Sequence, residues 1–156
     1  MRENLFRAKK YEKSVFDETD WVYGSLIDSG NHEQVFIYPW LNGASTMPVR
    51  QLVYSRMEAV NPETIGQFTG KVDKNGTNIF EGDVFQLEDD IVAVVIFNDG
   101  CFRLEEYGLC GTWTESGYDE CGGGYGIIEC EPIDWYFLKD MEIIGNIHDN
   151  PELIPC

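Results

Sequence analysis

The sequence predicts an α+β protein that is mainly β. Short antiparallel strands should form an SH3-like small barrel in the second half, residues 65–156, preceded by a β or α+β subdomain over residues 1–64. Three observations lead there. Apolar runs of strand length recur along the chain, divided by Asn-Gly, Asp-Gly and other glycine turns. CFRLEEY (101–107) alternates Cys101, Arg103 and Glu105 with Phe102 and Leu104, the period of a half-buried strand. Residues 79–107 read as turn, strand, turn, strand, turn, strand, the rhythm of small barrels and sandwiches.

From the N-terminus, WVYGSLI (21–27) is rich in aromatic and β-branched residues and ends in the turn Asp28-Ser29-Gly30-Asn31. VFIYPW (35–40) is a second strand, with Pro39 marking an edge or an end, and Asn42-Gly43 signals a turn. VRQLVYSRMEAV (49–60) is ambiguous, since Val49, Leu52, Val53 and Met57 fit one helix face. Asn61-Pro62-Glu63-Thr64 reads as a turn, or as one helical turn capped by Asn61 with Pro62 first.

Residues 65–69 form the next strand, and Asn75-Gly76 supplies a tight type I′ hairpin in which both central residues take positive φ. Ile79-Phe80 returns, Glu81-Gly82-Asp83 turns, and VFQL (84–87) runs on. IVAVVIF (91–97) should be buried on both faces, turning at Asn98-Asp99-Gly100 into the alternating strand. Residues 108–126 hold seven glycines and two cysteines and read as a long loop or flexible hairpin tip. IIEC (127–130), DWYFL (134–138) and MEIIGNI (141–147) complete the strands, the last closing the barrel, and Asn150-Pro151 opens a final helical turn.

Charge narrows function. Residues 1–78 hold nine Lys/Arg against ten Asp/Glu, a net of −1. Residues 79–156 hold two, Arg103 and Lys139, against eighteen, a net of −16. Such a half repels phosphate, so direct nucleic-acid binding is not expected, while a basic protein partner is. The same acidity also serves solubility. No run reaches the roughly 18 apolar residues of a membrane helix, and the basic start MRENLFRAKKYEK leads into no signal peptide. A cytoplasmic protein without membrane contact is expected.

No catalytic, cofactor or metal site is expected. Cys101, Cys110, Cys121, Cys130 and Cys156 lack a Cys-x-x-Cys pair, and neither His32 nor His148 lies near a cysteine pair. Asp73-x-Asn75-Gly76 fails the calcium-loop pattern, because position twelve is Val84. GGGYG (122–126) lacks the Gly-Lys-Ser/Thr of a phosphate loop. Glu88-Asp89-Asp90 are solvated turn charges, and Glu105 and Glu106 point to opposite faces of their strand. Trp21, Trp40, Trp113 and Trp135 are read as core or subunit interface.

GQFTGKVDKNGTNIFEGDVF (66–85) resembles the signature of the YopX family, small proteins of bacteriophages and prophages, in which Leu and Lys are commoner where this chain has Lys71 and Val72. FRAKKYEKSVFDETDWVYGSLI (6–27) is similar to the family opening, and MEIIGNIHDNPELI (141–154) to its close. The glycine- and cysteine-rich residues 108–130 depart from the family. The resemblance implies one compact β-rich unit with an SH3-like part, a homo-oligomer, in a Gram-positive host. It implies no enzyme mechanism. It marks Gly66, Gln67, Thr69, Gly70, Asp73, Asn75, Gly76, Glu81, Gly82, Asp83, Gly145 and Asn146 as structural motif residues. The expected function is that of an accessory protein working through self-assembly and protein contacts. The alternative is an acidic decoy that mimics DNA on a basic host nuclease or regulator.

Overall fold

A computed structural model describes residues 4–11, 20–30, 34–39, 47–109, 112–114, 117–119 and 125–154. Trp40, the Asn42-Gly43 turn, Asn31, His32, Cys110, Cys121, Cys156 and the glycine run 122–124 lie outside the described residues. The fold is mainly β, with antiparallel pairing throughout the described strands. The chain divides into two compact units, Met1–Phe68 and Thr69–Cys156.

In the first unit the strands are β1 (Phe6–Lys9), β2 (Trp21–Asp28), β3 (Val35–Pro39), β4 (Glu58–Val60) and the start of β5 (Gly66–Val72). Their order across the sheet is β4-β3-β2-β1-β5. Ala8, Val22, Val35, Ile37 and Val60 form its core, with Phe6, Leu26 and Ile65 packed against it. Pro39 ends β3, since it has no N–H to donate to a continued ladder. The ambiguous 49–60 stretch resolves into helix α1 (Val49–Arg56) followed by β4. The helix has no buried residue and Val49 is 76% exposed, so the expected apolar face is not buried. Pro62–Thr64 is a 3-10 turn, and Asn61 Oδ1 accepts from the Glu63 N–H at 3.1 Å, as the Asn-Pro pattern predicts.

The second unit holds the rest of β5, then β6 (Asn78–Phe80), β7 (Asp83–Glu88), β8 (Ile91–Asn98), β9 (Cys101–Leu109), β10 (Thr112–Thr114), β11 (Gly117–Asp119), β12 (Tyr125–Pro132) and β13 (Ile143–Asn146). Five of them form a sheet in the order β12-β9-β8-β7-β13. This sheet is open: β12 and β13 are its edges, so 141–147 does not close it into a barrel. One face carries Phe85, Ala93, Val95, Phe102 and Leu104, covered by Ile79, Ile133 and Leu138. The other carries Val84, Val92 and Val94, covered by Ile147, Leu153 and Ile154. β8 is therefore buried on both faces over 92–95, as its continuous apolar run predicts. Each fully buried large side chain, such as Phe85, contributes roughly 1.5–3 kcal/mol.

Two local readings are corrected and one open alternative is decided. The Asn75-Gly76 turn is not type I′, because Gly76 alone in it has positive φ (79°). The Asp73 N–H donates to Thr77 O at 2.9 Å and the Gly76 N–H to Asp73 O at 3.1 Å, enclosing a three-residue loop with glycine at its left-handed position. The paired positive φ values of a primed turn occur instead at Asp99 (51°) and Gly100 (80°).

DWYFL (134–138) is not a strand. Ile133–Trp135 and Leu138–Asp140 are 3-10 turns, and Ile133 and Leu138 reach the core from them. Pro132, at φ −55°, ends β12, since it can donate no ladder hydrogen bond.

Of the two readings of 108–126, a long loop or a hairpin tip, the described residues fit the hairpin. β9 runs to Leu109, β10 pairs β11, and β12 begins at Tyr125.

Candidate functional site

The signature residues direct their polar groups at the chain itself. Asp73 Oδ1 accepts from the N–H groups of Asn75 and Thr77, both at 2.8 Å, and Oδ2 accepts from the Ile143 N–H at 3.4 Å. Burial pushes this carboxyl upward, but the donated N–H bonds from Thr77, Asn75 and Ile143 outweigh it and hold it below the ordinary aspartate value. The Lys74 N–H donates to Met141 O at 2.9 Å, so the 73–77 loop is bound to the segment that enters β13.

Thr69 Oγ1 donates to Ile79 O at 2.9 Å, across the hairpin. The buried Asp83 accepts from the Phe80 N–H at 2.8 Å, closing the turn that holds the half-buried Glu81. Gly82 receives the Ile147 N–H on its carbonyl at 2.9 Å and donates to Val95 O at 2.8 Å. A Cβ at Gly145 would stand 2.6 Å from Asn150 Oδ1 and 2.7 Å from Leu153 Cδ1, which only glycine avoids. Asn146 Oδ1 caps the next turn, accepting from the His148 and Asp149 N–H groups at 3.0 Å each.

Asp73, Gly82 and Asp83 thus join 143–147 within the second unit, while Gly66 and Gln67 pair with Arg7 and Phe6 in the first. Gly70 is a positive-φ point on β5, at 84°.

A cleft of about 590 Å³ lies in the second unit between 70–72 on β5 and the turn 136–140. That volume lies within the range of ligand pockets. Lys71 forms an ion pair with Asp134, and Phe137 is 81% exposed. The Tyr136 hydroxyl donates to Glu106, a buried carboxylate on the inner face of β9. Burial first, and then the Glu106 carboxylate, push the Tyr136 hydroxyl well above the ordinary tyrosine range. Its proton is held by the Glu106 carboxylate, so this hydroxyl ties the 136–140 turn to β9. Sequence reading missed this site because it placed 134–138 in a strand; Pro132 was the available signal.

Glu105 and Glu106 lie on opposite faces of β9, as the period of two requires: Glu106 bonds Tyr136 inside, and Glu105 accepts from the Tyr107 hydroxyl. Burial and then Glu105 push Tyr107 up to about 12. Glu88, Asp89 and Asp90 are exposed, with Gln86 Nε2 donating to the carbonyls of Asp89 and Ile91 at 3.2 and 3.3 Å. Cys101 and Cys130 are free thiols, and Arg103 Nη1 donates to Cys130 O at 3.1 Å. Trp21 lies under the Arg7 guanidinium at 4.8 Å, Trp113 is in β10 and Trp135 in a 3-10 turn. Among the described residues no three of His, Cys, Asp and Glu are grouped to hold a metal, and no helix is long and apolar enough to cross a membrane.

No curated protein matches the sequence. The family model described as YopX protein matches residues 5–155, nearly the whole chain, and so spans both units, the signature hairpin and Gly145–Asn146 at the end of β13. The chain therefore belongs to the YopX family.

Proposed function

We propose that this is a non-enzymatic accessory protein of a phage or prophage, acting in the host cytoplasm through self-assembly and protein contacts. The observation that carries the reading is the apolar surface of the second unit: Phe97, Ile127, Ile128, Phe137 and Ile144 are between 39% and 81% exposed. Surface of this kind marks contact sites when it is grouped. The signature residues support the reading as well, because their side-chain hydrogen bonds hold turns and strands rather than present a nucleophile or base.

The second unit is read as SH3-like. Its short meander β7-β8-β9 supports this, as does the Lys74 N–H bond to Met141 O, which brings the β5–β6 hairpin against β13. Light scattering at micromolar concentration tests self-assembly. A mass that is a multiple of 17.8 kDa is expected, and a single-chain mass would sink the reading. The second reading, an acidic mimic of DNA, draws on the net charge of −16 over residues 79–156.

A further inference from the structure

We propose that the cleft between 70–72 and 136–140 binds a small monoanion in which an apolar ring carries one carboxylate. This goes beyond the protein-contact reading and does not depend on it. The site follows from how the chain is built there. Leu138 is buried from its 3-10 turn and fixes the segment to the core, while Phe137 just before it is 81% exposed. The Asp140 N–H donates to Phe137 O at 2.8 Å, which closes the turn that carries the ring at the cleft. On the β5 side, Gly70 has a φ of 84°, and a Cβ built on it would meet nothing within 4 Å. An exposed ring beside an open space of about 590 Å³ offers apolar surface that the described residues leave uncovered.

Charge selects the ligand. Residues 79–156 hold eighteen acids and two cations, and one of those two, Lys139, lines this cleft. Lys71 lines it from β5, so the lining carries two cations against one acid, Asp140. The local sign is opposite to that of the acidic half around it. Lys139 is exposed and makes no ion pair among the described residues. Lys71 is engaged with Asp134, but the two side chains are 40% and 73% exposed. Ion pairs of that kind are weak, so the ammonium can be shared with a second carboxylate.

One net positive charge suits one carboxylate. The net of −16 over residues 79–156 repels ligands of higher charge, which sets a monocarboxylate above a di- or triphosphate. Phe137 is matched by a ring that stacks on it offset or edge to face. Two sources offer this chemistry: a free aryl carboxylic acid, and a polypeptide ending in phenylalanine with its α-carboxylate free.

The test titrates phenylpropionate into the full chain and follows the backbone amide shifts by NMR. Saturable shifts confined to 70–72 and 136–140 are expected, with a Kd of about a millimolar. The neutral phenylpropionamide should bind about tenfold more weakly, and phenylethylammonium should give no shifts there. Phe137→Ala should weaken binding about tenfold and Lys139→Gln about fivefold. Both positions are exposed, so both variants keep the fold. Acetyl-Gly-Gly-Phe with a free carboxylate separates the sources. Binding tighter than that of phenylpropionate assigns the site to the C-terminus of a partner, and equal or weaker binding assigns it to a free acid. No saturable shifts at 70–72 and 136–140, equal binding of the amide or the ammonium ion, or undiminished binding in either variant would overturn the inference. So would concentration-dependent shifts of 136–140 in the chain alone, which assign Phe137 to a second copy.

Discussion

Asp73 shows how one side chain can fix both a turn and a contact between segments. Its carboxylate gathers the N–H groups of Asn75, Thr77 and Ile143, the last seventy residues away. Asp73→Asn keeps an acceptor but loses the charge. A loss of about 1–3 kcal/mol is expected in denaturant unfolding at neutral pH. The folded-state pKa lies below the unfolded value, so the contribution is fully present above about pH 4 and is lost as pH falls through the folded value. The gap between wild type and variant should therefore narrow in acid; a constant gap down to pH about 2 would show that the charge contributes nothing. Gly76 is needed for a different reason, its φ of 79°. Gly76→Val should cost about 1–2 kcal/mol, since a β-branched residue resists that region; an unchanged melting temperature would contradict it. The need for glycine here was legible in the sequence although the turn type was not. Asn-Gly announces positive φ, but Asp73 fastening the N–H groups of Asn75 and Thr77 favours the three-residue loop.

At the level of elements, the sequence was most readable where backbone period and burial coincide. β8 and β9 appear at the expected places because one is continuously apolar and the other alternates. The 134–138 segment misled because aromatic content suits strands and turns that plug a core equally well. Ile133 and Leu138 are buried from 3-10 turns, and Phe137 between them stays exposed. A paired substitution separates the two readings. Leu138→Ala should cost about 2–5 kcal/mol by opening a cavity, whereas Phe137→Ala should change stability by less than about 0.5 kcal/mol. Comparable losses at both positions, measured by urea unfolding, would mean that Phe137 is covered in solution. The cleft beside these residues was illegible for the same reason: its walls are a turn and the end of β5, and nothing in local periodicity joins 70–72 to 136–140.

At the scale of the whole molecule, the uneven charge was plain from composition, but its placement required the fold. A decoy must present carboxylates at the density of duplex phosphates, about one charge per 1.7 Å of axis. Within the second unit, Glu88, Asp89 and Asp90 stand at the start of β8, and Asp99 stands just past its end. A strand of that length separates the two turns by about 23 Å, at about 3.3 Å per residue. This exceeds the Debye length of about 8 Å at physiological ionic strength, so the two groups act as separate patches. Between them, 92–95 is buried on both faces and supplies no charge. Glu106 is buried under Tyr136, and Glu105 is bonded by Tyr107, which takes two further acids out of any ridge. The protein should therefore fail to displace duplex DNA from a basic DNA-binding protein at physiological salt in a fluorescence-anisotropy competition. Displacement that weakened steeply as salt rose would reverse this ranking, because a continuous anionic surface gives up its own condensed counterions on binding a basic partner, as DNA does.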